Sequence, residues 1–250
     1  MPPPEPPPPG NAEPQLGSAS PPAAPLPGWR TRGYLPHRDE ARLRQAITFR
    51  LADSLPRESL AALEERQALA PTDRRAAQRR RQIEAWLDAG HGCCALRHPA
   101  VAAMTVETLH RFDRVRYRLL AWCVMPNHVH VLIEPSAPLG PIVQSWKSYT
   151  GRWILARNAE LGLGVPGPAC WMREYWDRYL RDARHFSQCV AYIHDNPVKA
   201  GLCAAAADWP WSSARLWQRA EPGLGAPGNA EPQLGSGKVA PGQNLGNPSP

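Results

Sequence analysis

The chain has 250 residues, 30 of them proline and 19 glycine, and a formal charge of +7. That length holds one or two domains, and no apolar run reaches the ~18 residues that a membrane-spanning helix needs. Six cysteines without a CxxC pair argue against a zinc knuckle and for reduced, buried thiols.

The prolines gather at the ends, with 12 in residues 1–28 and 6 in residues 221–250. These ends are poor in aromatic and β-branched residues, so they cannot bury enough surface to offset ordering entropy. They read as disordered tails around one domain at 29–220. The decapeptide from Pro9 to Ser18 recurs from Pro227 to Ser236. A repeat present only twice is no solenoid and reads as low-complexity linker. The tails hold Glu5, Glu13, Glu221 and Glu231 against Lys238, so the core carries +10. That balance suits a polyanionic partner without separating DNA from RNA. The proline-rich start lacks a basic-then-apolar signal pattern, and a cytoplasmic protein is expected.

Gln45 to Leu51 reads as a strand, with Ile47, Phe49 and Leu51 alternating against polar neighbours and Pro56 ending it. Residues 57–88 read as a helical insert in two pieces, broken near Pro71. Its second piece holds Arg74, Arg75, Arg79, Arg80 and Arg81, either a solvated face or a phosphate-tracking one. Val101 to Phe112 predicts an amphipathic helix. Tyr117 to Met125 and His128 to Glu134 predict two strands joined by a tight turn at Pro126-Asn127. Pro141 to Glu160 predicts a helix and Trp171 to Leu180 a strand, with aromatics suited to a pleated surface. Asp182 is placed to cap a helix running to Asn196, which Pro197 resists continuing. Strands with intervening helices give an α+β domain.

Two motifs carry the chemistry. Strand side chains repeat every two residues, so His128 and His130 share a face. Val129, Val131 and Ile133 occupy the opposite face, which is expected to pack on helices and leave the histidine face open. Spacing alone leaves two readings: a metal pair, or two strand histidines without a ligand. Imidazole suits Mn²⁺ and similar ions, while Mg²⁺ prefers oxygen. In the predicted helix, Tyr192 and Asn196 are four apart and share a face. A phenol titrates near pH 10 and needs help to act as a nucleophile. Tyr34, Tyr117, Tyr149, Tyr175 and Tyr179 compete with Tyr192 for that role. Asn196 also fits a plain helix end. Trp146, Lys147 and Lys199 are candidate DNA contacts, since aromatic faces stack unpaired bases and cations track the backbone. A tryptophan at helical spacing is equally a core residue.

The segment from Leu119 to His130, LLAWCVMPNHVH, resembles the REP-associated tyrosine transposases of the HUH (His, hydrophobic, His) superfamily. Tyr192 to Leu202, YIHDNPVKAGL, looks like their nucleophile helix. Asp208 to Ser213, DWPWSS, is similar to their downstream signature, and Ala46 to Pro56 to their first strand. The resemblance covers about residues 29 to 217. It implies a ferredoxin-like antiparallel sheet with helices on one face. It implies a metal-dependent single-stranded DNA endonuclease and strand transferase working through a 5′-phosphotyrosine. Tyr192 would be the nucleophile, with His128, His130 and the Asn196 oxygen holding Mg²⁺ or Mn²⁺. The substrate would be hairpin-forming DNA, and the protein a monomer or homodimer. Two rivals stand beside this: a hairpin-DNA-binding regulator without catalysis, and a replication-initiation nuclease, disfavoured by the lack of a P-loop.

Overall fold

A computed structural model describes residues 29–31, 36–38, 43–55 and 72–219. The two expected tails and the first piece of the 57–88 insert lie outside the described residues. A short hairpin, β1 (Trp29–Thr31) and β2 (Pro36–Arg38), stands apart as its own two-stranded sheet. The main sheet has four antiparallel strands: β3 (Gln45–Arg50), β4 (Tyr117–Val124), β5 (His128–Pro135) and β6 (Trp176–Tyr179). Its order is β4-β5-β3-β6. The helices are α1 (Thr72–Asp88), α2 (Pro99–His110), α3 (Leu139–Ala156), α4 (Ala183–Lys199) and α5 (Ala214–Arg219). With helical crossovers after β3 and after β5, this is the ferredoxin-like arrangement that the resemblance implies, but the helices are not all on one face: α2 and α3 cover one and α4 the other.

Strand pleating sorts the side chains. On one face, Ile47, Phe49, Val129, Val131 and Ile133 meet α2 and α3 in the larger core. There Trp146 is 1% exposed. It stacks 6.2 Å from Phe49 and donates its indole N–H to the Tyr117 hydroxyl at 2.9 Å. Trp146 is therefore a core residue, with no free ring face for a base, and the expected DNA contact there is wrong. On the other face, Leu120, Ala121, Cys123 and Leu132 meet Phe186, Val190 and Ile193 of α4. A bulge between Leu119 and Ala121 shifts the alternation of β4, so that Trp122 and Val124 join Leu119 in the larger core while Ala121 and Cys123 join Leu120 in the other.

Two expectations shift at the C-terminal side. The strand expected at Trp171 to Leu180 is only Trp176–Tyr179. Trp171 instead forms an isolated bridge to Leu51, donates to the Thr150 hydroxyl at 2.9 Å and packs 4.9 Å from Phe49. Asp182 caps α4 as expected, its Oδ1 accepting from His185 N at 2.7 Å. The helix nevertheless runs through Pro197 to Lys199. A proline so near the end costs only the Ile193 carbonyl its partner, in a turn that is already fraying.

The Trp209-to-Trp217 segment seals the outer edge of β4. Trp209 Nε1 donates to the Val124 carbonyl at 2.9 Å, and Trp217 Nε1 to the Leu120 carbonyl at 3.1 Å. Ser213 N donates to the Trp122 carbonyl at 3.0 Å, and Val124 N donates to the Trp211 carbonyl at 2.9 Å. Ser213 Oγ also accepts from Trp122 N at 3.0 Å and pairs with His194 Nε2 at 2.8 Å. The DWPWSS motif, which carried no chemistry in the sequence, is thus the cover of an otherwise exposed strand edge. Ser213→Ala leaves the buried Trp122 N–H and His194 without this partner. It is expected to cost about 2–3 kcal/mol, read as a lower urea midpoint; an unchanged midpoint would show that the hydroxyl is replaceable.

Candidate active site

β5 places the histidines between its two neighbours. Arg50 and Thr48 of β3 lie opposite His128 and His130, and Cys123 of β4 lies opposite His130. The histidine face is not open, as the sequence suggested. His128 is 1% and His130 4% exposed, because α4 buries its own apolar stripe on that face. This burial, reinforced by the neighbouring His130, holds the His128 imidazole well below its ordinary pKa.

The two rings stand nearly perpendicular, at 87°, with Nε2 facing Nε2 at 2.9 Å. Their outer nitrogens are anchored. His128 Nδ1 meets Asn127 Oδ1 at 2.8 Å, and His130 Nδ1 meets Thr48 Oγ1 at 2.9 Å. Asn127 Nδ2 donates to the His91 carbonyl at 3.0 Å, which turns its Oδ1 toward His128. His128 Nδ1 must then donate, leaving a lone pair on its Nε2. The Thr48 hydroxyl either accepts or donates. If it accepts, both Nε2 lone pairs converge on one point; if it donates, His130 Nε2–H bonds to His128. A separation of 2.9 Å matches two nitrogens at right angles around an ion ~2.0–2.1 Å from each. The carbonyl and hydroxyl partners on the far nitrogens are the outer shell that ligating imidazoles use.

α4 brings the tyrosine to the same place. The Tyr192 ring lies 5.5 Å from that of His130, centroid to centroid, at 78°. Lys199 places its Nζ 5.0 Å from the Tyr192 centroid. One turn on, Asn196 is buried, its Nδ2 donating to the Tyr192 carbonyl at 2.8 Å. Its Oδ1 is buried with no hydrogen-bond partner. An orphaned acceptor costs about 1–3 kcal/mol, and a cation is the partner such an oxygen fits. Among the described residues no cluster of three His, Cys, Asp or Glu gathers to hold a metal.

A cleft of about 440 Å³ opens beside the pair, with His130 and Tyr192 in its wall. α1 forms the far wall, and its last residue, Asp88, senses Lys199. Burial first, then Glu84, pushes the Asp88 carboxyl up to about 6, with Lys199 pulling it back. Lys147 lies elsewhere, its Nζ on the Arg173 carbonyl at 2.6 Å.

Residues 104–196 match the family described as "Transposase IS200 like". The match takes in His128, His130 and Tyr192, which the fold brings together, and Asn196, one turn on from Tyr192. That segment is similar to the IS200-like transposases. The chain is similar to a REP-associated tyrosine transposase of Escherichia coli K12, at 26% identity over 98 residues, 39% of this chain and 54% of that one. A Haemophilus influenzae protein provisionally given the same name is 24% identical over 119 residues, 42% of this chain and 63% of that one. This chain thus spans between half and two thirds of the length of these relatives. A solved REP-associated tyrosine transposase bound to a REP hairpin aligns at a TM-score of 0.42 and 17% identity, over 76% of this chain and 85% of that one. That likeness is too loose to carry an argument.

The motifs of the transposase segment were legible, but its orienting residues were not. Thr48 lies outside the segment, and only pairing of β3 with β5 brings it to His130. Arg50, 5% exposed beside His128, gave no signal beyond strand alternation. Its guanidinium donates to Ser54 Oγ at 3.1 Å and lies 5.6 Å from the Trp176 centroid.

The orphaned oxygen predicts that Asn196→Leu, in metal-free buffer, unfolds at the same or higher urea than the parent chain. A loss of more than about 1 kcal/mol would mean that Oδ1 has a partner after all. Burial also lowers His194 to about 4, partly opposed by Asp195. The unfolded imidazole takes its proton near 6.5, so stability is full above that pH and falls as pH drops from 6.5 toward 4. His194 alone contributes roughly 3 kcal/mol to that fall. His194→Gln is expected to flatten urea midpoints between pH 7 and 4.5, and an unchanged slope would show the native His194 already protonated.

Proposed function

We propose that this protein is a metal-dependent single-stranded DNA endonuclease and strand transferase. The observation that carries the reading is the convergence of His128 Nε2 and His130 Nε2, 2.9 Å apart, beside the Tyr192 ring. All three come from one chain, which supports a site assembled without a second copy. The match of residues 104–196 to the IS200-like transposase family supports the same reading, as does the name of the E. coli relative.

His128, His130 and the Asn196 oxygen are the proposed ligands of a Mg²⁺ or Mn²⁺ ion. Bound there, the ion supplies Lewis-acid polarisation of a phosphate oxygen. The protein does the rest. Asn127 and Thr48 hold the imidazoles in place. Tyr192 Oη attacks the scissile phosphorus, forming a P–O bond to the phenol and breaking the P–O3′ bond. The electron pair leaves on the 3′ oxygen, which takes up a proton as the phenol loses one. The 5′-phosphate stays on Tyr192, and a 3′-hydroxyl later reverses the exchange to join a strand. Bond energy is conserved at each step, so no nucleotide cofactor is called for. Lys199, 5.0 Å from the ring, favours negative charge on the phenol oxygen as the tyrosine leaves or attacks. Lys199 and Lys147 are the proposed backbone contacts. The proposed substrate is hairpin-forming DNA, reached in the cytoplasm. Among the described residues no helix is long and apolar enough to cross a membrane.

The test is a covalent-adduct assay with labelled single-stranded hairpin DNA and Mn²⁺ or Mg²⁺. A shifted band on a denaturing gel is expected for the parent chain. It should vanish with EDTA, with Tyr192→Phe and with His130→Ala. An adduct surviving Tyr192→Phe would move the nucleophile elsewhere. Hairpin binding with no adduct under any metal would favour the non-catalytic regulator.

A further inference from the structure

α1, like β3, lies outside the family match, since it ends at Asp88 and the match begins at residue 104. It is nevertheless built into the cleft. Ile83 and Leu87 pack with Leu55 and against Trp176 in a small core of their own. The same three side chains, Ile83, Leu87 and Trp176, line the cleft that holds His130 and Tyr192. Opposite them, α4 lines it with Gln188, one turn before Tyr192 and on the same helix face. Gln188 is exposed. The lip of the cleft also holds Arg178 and Asp177 of β6 and Glu84 of α1.

We propose that this cleft is a nucleobase pocket, which seats one unstacked base of the single strand next to the scissile phosphate and makes α1 a specificity element. The inference rests on the nuclease reading above. Three features point to a base. The walls are apolar and partly aromatic, which suits a flat ring. The polar groups are mixed in sign, with Glu84 and Asp177 set against Arg178, so the pocket has no cationic excess to hold a phosphate. An amide such as Gln188 reads donor and acceptor edges. The volume of about 440 Å³ falls within the range of small-molecule sites and accommodates a base with its sugar. Position decides which base: with Tyr192 and His130 in the wall, the nucleotide bonded to the attacked phosphate is the one in reach. A base within a duplex is held in its stack, so the pocket selects single-stranded or flipped nucleotides.

The test uses the full chain and 12-mers of dA, dC, dG and dT with a 5′ fluorophore, measured by anisotropy, beside the same length of duplex. The parent chain is expected to prefer one homopolymer by about tenfold or more, the discrimination a good pair of base contacts gives. Gln188→Ala should collapse that preference to within about twofold, and Leu87→Trp, which fills the pocket, should weaken all four single strands without weakening duplex. A readout free of mutation guards against misfolding: a 4-thiothymidine 12-mer, irradiated on the parent protein, should crosslink to the peptides holding Trp176 or residues 83–87. Single-strand binding with no base preference and with crosslinks mapping only elsewhere would overturn the pocket and leave the nuclease reading intact. No single-strand binding at all would overturn both.

Discussion

Two imidazole nitrogens aimed at each other across 2.9 Å, inside a layer of protein that excludes water, set the terms for the rest of the molecule. Buried polar groups need partners, and each ring has been given one on its outer side. Thr48 is fixed by the β3–β5 register and Asn127 by the turn that starts β5. The turn is itself pinned, with Leu51 N donating to the Asn127 carbonyl at 2.9 Å and Leu96 N to the Pro126 carbonyl at 3.1 Å. Strand register, turn and outer hydrogen bonds thus converge on the inner nitrogens, which are left with one another. A protein built only for stability would put apolar side chains there. Such a local cost is the usual mark of a functional site in an otherwise consistent fold.

The two faces of the sheet divide the work. The α2–α3 face is conventional core, dense in valine, isoleucine and tryptophan. The α4 face is mixed: Phe186, Val190 and Ile193 secure the helix, while Tyr192 sets its ring beside His130 and Asn196 buries an unpartnered oxygen one turn on. A single helix supplies both the packing and the proposed reacting groups, so its axial position is fixed by apolar contacts rather than by the chemistry. That is how a tyrosine on a helix can be held still beside a strand. His194, bonded to Ser213, adds a second tether from the same helix to the segment along β4.

Much of this was legible in the sequence because it follows from local periodicity. Alternation put His128 and His130 on one face, helical spacing put Tyr192 with Asn196, and Asp182 announced the start of α4. What was not legible depends on distant pairing. The histidine face looked open because nothing in Val129, Val131 and Ile133 reports that a helix more than fifty residues later covers the other side. Thr48 and Asn127 are ordinary strand and turn residues until β3 and β5 pair. Trp146 looked equally suited to a base or to a core, and only its bond to Tyr117 decides. Trp171 and Tyr175 have strand-like chemistry, yet the core claims their rings before β6 begins.

The cover along β4 has a kinetic side. Trp122 and Ser213 are separated by 91 residues. At the ~5–20 residues per second of synthesis, β4 emerges on the order of ten seconds before its seal. For that interval a strand of buried, largely apolar residues presents its bare edge, the kind of surface that invites pairing with other chains. The nascent protein is therefore most exposed to misassembly, and most in need of a chaperone, after His128 and His130 have been made but before its last tryptophans have.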